Sequence, residues 1–354
     1  MIIIVTGGAG FIGSNFIRNL LASSEDCQVI NIDLLTYAGN LDNLKDVEER
    51  WGGNRYFFVK GDIADRQFVH SLFEGGRYPF SKPEAIINFA AESHVDRSIL
   101  DATPFVDTNI RGTQVLLDAA REFKIKKFLQ VSTDEVYGSL ALSGDGRFRE
   151  DTPLLPNSPY SASKASADLL VKAYFKTFGL PVMITRCCNN YGTYQFPEKL
   201  IPLMILNAVD GKPLPVYGDG LYVREWIHVL DHARAIGFVL EHGTAGEIYN
   251  IGTGQEKANL DTIKIIIQSV GELTHRPISE LEKLITFVKD RPGHDRRYAV
   301  DSGKLRALGW RPETAFAEGM KQTVAWYLEN TAWCDNVRSG EYRAYYQKWY
   351  GGRV

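Results

Sequence analysis

The stretch "TGGAGFIGS", Thr6 to Ser14, stands between the apolar run Ile2-Ile3-Ile4-Val5 and a segment of helical period from Phe11 to Ser23. Gly7, Gly10 and Gly13 fall at the spacing with which a strand turns into a helix around a pyrophosphate. Glycine there allows a tight turn, close approach of the backbone to the anion, and close packing of helix on sheet. The exposed N–H groups at the start of the helix, where Phe11 and Ile12 stand, then hold the anion with the positive helix end. Asp33 closes the next β-branched run about 20 residues on, where an acid accepts from a ribose 2′-hydroxyl and repels a 2′-phosphate. Together these signals point to a dinucleotide site, and to NAD over NADP. Asp62 and Ile63 in "GDIAD" follow a third such run and would lie near the adenine, although Asp62 alone could equally cap a helix.

Around this motif, short β-branched runs alternate with longer helical segments, the pattern of a parallel sheet covered on both faces. Strands are expected at Ile2–Thr6, Gln28–Asp33, Tyr56–Lys60, Ala85–Phe89, Lys127–Ser132 and Pro181–Arg186, with helices at Phe11–Ser23, Asn109–Phe123 and Ala162–Phe178. After about Arg186 aromatics, prolines and glycines interleave. The expected fold is therefore α/β: a Rossmann-like doubly wound parallel sheet over 1–186, with returns of the chain near 228–255, and a smaller mixed α/β substrate-binding domain over 187–354. A chain of 354 residues is long enough for two such lobes.

Composition narrows the function classes. With 44% hydrophobic and 23% charged residues and a formal net charge of −3, nothing in the electrostatics argues for nucleic acid. No apolar run approaches the ~20 residues that span a bilayer, and the opening residues carry no export signal, so a cytoplasmic soluble protein is expected. Four cysteines without C-x-x-C spacing read as reduced thiols, and no cluster has metal-ligand spacing.

Two further motifs carry chemistry. In "YSASK", Tyr160 and Lys164 lie four apart on an expected helix, on one face, where an ammonium can lower the pKa of the phenol from ~10 and make it a base. In "STDEVYG", Thr133, Asp134 and Glu135 follow a buried strand. Adjacent residues of a regular strand point to opposite faces, so these three can surround one ligand only if the strand has ended and the backbone turns. Two close carboxyls in a partly dry site push one pKa upward, which supplies a protonated acid beside an ionised base.

With "NFAAESHVDRS", "NNYGTYQFPEKLIP", "PVYGDGLYVREWIH" and "DRPGHDRRYAVD", these motifs resemble the nucleotide-sugar branch of the extended short-chain dehydrogenase/reductase family, over nearly the whole chain from Met1 to about Tyr327. The resemblance is closest to its 4,6-dehydratases. Sister epimerases carry small hydroxyl or apolar residues where this chain has Asp134 and Glu135, since they only move a hydride on and off C4. The resemblance implies a lyase that takes dTDP-glucose to the 4-keto-6-deoxy sugar with NAD retained. Tyr160 would be the base at the C4 hydroxyl with Thr133 placing that oxygen, Glu135 the base at C5, and Asp134 the acid at the departing C6 hydroxyl.

The same resemblance places Ala90 and Ser93 at the cofactor, and His94, Asn190, Lys199, Arg224, Asn259, Arg291 and His294 around the nucleotide sugar. It also implies a homodimer built on the helices near Asn109–Phe123 and Ala162–Phe178. A 4-epimerase, a dehydratase of another nucleotide sugar, and a dinucleotide-sensing regulator without catalysis are the competing readings. The intact Tyr160 and Lys164 argue against the regulator. The aromatic tail after Trp333 is expected to pack on the substrate lobe.

Overall fold

The computed structural model describes residues 1–74, 78–290 and 294–338. Arg291 and the aromatic tail "EYRAYYQKWY" lie outside the described residues. The β-branched runs of the first half form six strands: β1 Ile2–Thr6, β2 Gln28–Asp33, β3 Tyr56–Lys60, β4 Ala85–Asn88, β5 Lys127–Thr133 and β6 Val182–Cys187. Later come β7 Asn189–Tyr191, β8 Leu214–Tyr217, β9 Val223–His228, β10 Ile248–Ile251, β11 Glu256–Ala258 and β12 Ile285–Val288.

The first six strands and β10 make one parallel seven-stranded sheet in the order β10-β6-β5-β4-β1-β2-β3. From β1 the chain winds one way through β2 and β3 and the other way through β4 to β6. The crevice beyond the carboxyl ends of β1 and β4 is thus the switch point at which open α/β sheets bind ligands. Each strand feeds both faces: Ile3 and Val5 enter one apolar cluster while Ile4 enters the other. Burial on both faces explains why these strands read as continuous apolar runs without polar alternation.

β7, β9 and β11 form a second sheet and β8 and β12 a third. Beside them a separate core gathers Met204 and Ile205 from the helix Leu200–Asp210, Ile263 and Ile267 from Asn259–Thr274, and Met320 and Val324 from Phe316–Glu329. The helix Val229–His242 crosses back to pack on the first helix, Phe11–Ser23, and delivers the chain to β10.

Two helices differ from the reading of the sequence. Asn109 to Phe123 is not one α-helix: a π-helical turn runs over Val106–Gly112 and the α-helix over Thr113–Glu122. Asn109 in the wide turn is buried, accepts from Glu92 N at 2.9 Å and donates to Ser163 Oγ at 2.8 Å, tying a loop of the crevice to the next helix. Such π turns recur where a side chain is needed out of ordinary helical register. The long helix starts at Pro159, not Ala162. Ser158 caps it by accepting from Ser161 N at 3.1 Å, and Pro159 suits its first turn, where no N–H is needed.

The long helix, Pro159–Phe178, is clamped to the sheet by a fully buried ion pair, Arg186 Nε donating to Asp168 Oδ2 at 2.8 Å. The guanidinium also lies 4.8 Å from the Tyr137 ring centre. Removing one partner leaves an uncompensated charge in the interior, so Asp168→Leu is expected to lose about 3–5 kcal/mol of stability, and Asp168→Leu with Arg186→Met to recover most of it. Urea unfolding of the three chains checks this; a double variant as unstable as the single would show that the cost does not come from the stranded charge.

Candidate active site

One cavity of about 440 Å³ opens at the switch point, between the large sheet and the second lobe. It is lined by Gly7, Gly10, Phe11, Ile12, Gly13, Asp33, Asp62 and Ile63 on one side. Ala90, Ser93, His94, Thr133, Glu135, Tyr160 and Lys164 continue the wall, and Asn190, Lys199, Arg224, Asn259 and His294 close it.

The glycine turn is shaped for an anion. Gly7 sits at φ +69°, and a Cβ there would come within 2.6 Å of Ala90 N; a Cβ on Gly13 would lie 2.4 Å from Gly7 O. No side chain caps the helix that begins after Gly10, so its first N–H groups have no side-chain acceptor of their own. Asp33, at the end of β2, accepts from Ala9 N at 2.9 Å and Leu35 N at 2.8 Å and still faces the cavity. Burial pushes its carboxyl above the ordinary value, and the two backbone donors pull it back. Asp62 accepts from Ala64 N at 2.8 Å, closing a turn at the cavity wall. The cap of the following helix is Asp65, which accepts from Phe68 N at 3.1 Å. These residues fit a dinucleotide: an uncapped helix end over a turn that tolerates no Cβ, with a carboxylate at the next strand end.

β5 ends at Thr133, and a single 3-10 turn, Asp134–Tyr137, follows, with Thr133 Oγ1 accepting from Glu135 N at 3.3 Å. The turn separates the neighbouring carboxyls. Glu135 faces the cavity and accepts from Ser161 Oγ at 3.3 Å, whereas Asp134 is 1% exposed and does not line it. Asp134 Oδ1 accepts from Thr133 Oγ1 at 3.3 Å, and Oδ2 is buried with no partner among the described residues. Burial above all, then the charge of Glu135, holds the Asp134 carboxyl well above the carboxylate range.

Tyr160 and Lys164 share one face of the long helix and both line the cavity. Lys164 Nζ donates to Val131 O at 2.8 Å, and burial lowers its pKa to about 8 against the pull of Asp168. The phenol of Tyr160 is pushed up, not down, by burial and then by Glu135 and Asp134, with a hydrogen bond from Thr133 working the other way.

On the far wall, Lys199 Nζ donates to Ser93 O at 2.9 Å. Arg224 donates to Asp295 O at 3.0 Å and lies 4.5 Å from the Tyr298 ring centre. His294 pairs with Asp290 at 2.7 Å and stacks on Tyr222 with ring centres 3.7 Å apart. Asn190 Oδ1 is 2.9 Å from His232 Nδ1. The Asn259 Oδ1 atom is buried without a partner among the described residues, as are Trp226 Nε1, Asn189 Oδ1 and Gln195 Oε1, so the wall carries unspent donors and acceptors. Trp226, Asn189 and Gln195 were not singled out from the sequence, nor was Glu198. Glu198 is buried beside Arg97 at 3.3 Å and His94 at 3.9 Å. Its signal was available, since "FPEK" places it next to Lys199.

The family model described as GDP-mannose 4,6 dehydratase matches residues 4–323. The dTDP-glucose 4,6-dehydratase of Salmonella typhimurium is 50% identical, with 100% of each chain covered. Among solved structures, DesIV, a dTDP-glucose 4,6-dehydratase from Streptomyces venezuelae with NAD and TYD bound, superposes with a TM-score of 0.87 at 49% identity, covering 95% of this chain and 100% of that one. A UDP-glucose 4-epimerase of Thermus thermophilus in complex with NAD matches at a TM-score of 0.81 and 29% identity, covering 93% and 100%. Because the family model runs through both lobes and a relative matches half its residues end to end, the chain belongs to the family of nucleotide-sugar 4,6-dehydratases that this model describes.

Proposed function

We propose that this chain is a hydro-lyase that converts dTDP-glucose to dTDP-4-keto-6-deoxyglucose and water. The observation that carries the reading is the split of Asp134 and Glu135 at the end of β5, one buried and held protonated, the other facing the cavity beside Tyr160. An enzyme that only moves a hydride at C4 has no work for that pair, so the split favours elimination over epimerisation.

Residues 1–186, with the returning chain near 228–255, hold the cofactor, and 187–354 hold the nucleotide sugar. Gly7, Gly10, Phe11, Ile12 and Gly13 take the pyrophosphate of NAD, Asp33 the ribose, Asp62 and Ile63 the adenine side, and Ala90 and Ser93 complete the cofactor's wall. When bound, NAD supplies a hydride acceptor for C4 that later returns the hydride to C6, and a cationic ring in the same cavity. Tyr160 Oη takes the proton of the C4 hydroxyl, which Thr133 Oγ1 holds in place. Glu135 removes the proton from C5, acidified by the 4-ketone, and Asp134 gives its proton to the departing C6 hydroxyl. A later proton at C5 completes the product. Lys199, Arg224 and His294 offer the diphosphate its positive partners, with Asn190, Asn259 and His94 fixing the rest of the ligand. Arg291 is assigned to the same clamp from its motif alone.

The site is made of one chain, and we place a homodimer on the helices Thr113–Glu122 and Pro159–Phe178, whose outer faces include the exposed Leu169 and Phe178. A cytoplasmic location is the setting for a nucleotide-sugar substrate and four free cysteines.

The protein incubated with dTDP-glucose in deuterated water is expected to yield a sugar nucleotide lighter by one water and carrying one solvent deuterium. Glu135→Gln is expected to yield neither. Mass spectrometry reads both, and elimination at full rate in that variant would move the base elsewhere. The pH profile tests Lys164. If its cation supports the phenolate, Lys164→Met leaves the phenol with a still higher pKa, and the acidic limb of kcat moves to higher pH; an unmoved limb removes that role. For assembly, sedimentation at micromolar protein should give the mass of two chains, and a single-chain species throughout would reject the dimer.

A further inference from the structure

The carboxyl end of β6 brings two adjacent thiols, Cys187 and Cys188, to the wall of the same cavity. Cys187 is the residue that pairs in register with Thr133 across β5 and β6. No step of the reaction above uses either sulfur. Both are almost fully covered, at 3% and 2% exposure, so only a small reagent can reach them.

The polar surroundings of the two differ. Asn190 Nδ2 donates to Cys187 Sγ at 3.4 Å, and its Oδ1 holds His232 Nδ1 at 2.9 Å, so one amide links thiol and imidazole. His232 is itself fully buried, and its Nε2 has no hydrogen-bond partner among the described residues. Burial raises the Cys187 thiol, but the S–H of Cys188, the His232 imidazole and the Asn190 amide outweigh it and bring the pKa down to about 5. Cys188 is driven the opposite way by burial, by Cys187 and by the carboxyls of Glu225 and Asp134. Of the pair, Cys187 is the one that the Asn190 amide meets at its sulfur. Thiolate fraction and access decide which cysteine reacts, and a donor-rich pocket beside an imidazole marks the reactive kind. The other two cysteines, Cys27 and Cys334, are buried away from this cavity.

We propose that Cys187 is a modification site, a nucleophilic thiolate backed by Asn190 and His232 that reacts with small uncharged electrophiles of the hydroperoxide class. The Glu135 carboxylate on the same cavity wall disfavours anionic reagents. In the reaction the sulfur attacks one peroxide oxygen, the S–O bond forms as the O–O bond breaks, and hydroxide leaves and takes a proton to become water. Sulfur is oxidised by two electrons and the peroxide reduced by two. The resulting sulfenic oxygen stands beside Thr133, in the space where the ligand's oxygen is to be held. The inference concerns the thiol alone and does not depend on which sugar nucleotide the cavity takes.

Full-length protein is exposed to hydrogen peroxide for increasing times, the peroxide is removed with catalase, and the chain is then unfolded in dimedone, digested and mapped by mass. Dimedone is expected on Cys187 about tenfold faster than on Cys27, Cys188 or Cys334, with a rate nearly flat from about pH 6 to 8 where an ordinary thiol speeds up with pH. A Cys187–Cys188 disulfide also supports the proposal, since it forms when the Cys188 thiol attacks the sulfenic sulfur and water leaves. His232→Asn is expected to slow labelling of Cys187 about tenfold. Label spread evenly, label first on Cys27 or Cys334, no reaction in the folded protein, or a wild-type rate that climbs tenfold per pH unit would each overturn it. The last readings need no variant, so they hold even where His232→Asn fails to fold.

Discussion

The buried pair Asp168–Arg186 sets the depth at which the long helix lies on the sheet, and the reacting groups inherit that depth. Asp168, Lys164 and Tyr160 are spaced four apart on that helix, so locking the first against β6 fixes the angle of the other two over the end of β5. Lys164 adds a second clamp by donating to Val131 O, two residues before Thr133. Asn109 supplies a third by reaching Ser163 from its π turn. A phenol presented this way has little freedom to wander, and a positioned base needs no more than that to keep its oxygen within hydrogen-bond reach of a substrate hydroxyl. A buried ion pair contributes little net stability. Its value here is positional.

Desolvation is the common cause behind the site's electrostatics. It raises Asp134 and Tyr160 and lowers Lys164, in each case favouring the neutral form. The three shifts do not serve one purpose. For Asp134, the neutral form is the one the proposed acid requires. For Tyr160 the neutral form is the wrong one for a base, and the nearby carboxyls deepen the error. One of the three donors of the Lys164 ammonium is taken by the Val131 carbonyl.

Much of the fold could be read from the chain because central strands such as β1 and β4 are buried on both faces and therefore stand out as apolar runs between turn residues. The site residues were legible where chemistry demands a fixed local spacing: glycines in the turn, Asp33 at the next strand end, Tyr160 and Lys164 at i and i+4. What escaped depends on contacts between distant segments. Nothing local to "KASAD" says that Lys164 will find Val131 O, and nothing local to "VDTNIRG" demands a π turn; Asn109 is pulled inward by Glu92 and Ser163. The link between Cys187 and His232 is of the same kind. It joins the end of β6 to the helix Val229–His242, across more than forty residues of chain, through one amide.

The adjacent carboxyls show how a backbone feature becomes a chemical one. Two neighbours on a strand would face opposite sides of the sheet, and two in an open loop would share the same water; neither arrangement gives them distinct protonation states and a common target. Ending β5 at Thr133 and winding a single 3-10 turn puts one at the cavity wall and the other in the dry interior just behind it. The turn buries Asp134 behind the Thr133 hydroxyl and leaves Glu135 at the cavity wall against Ser161, so that burial first and the charge of Glu135 second raise the Asp134 carboxyl. The asymmetry requires no second base or acid from elsewhere in the chain. It follows from where one strand stops.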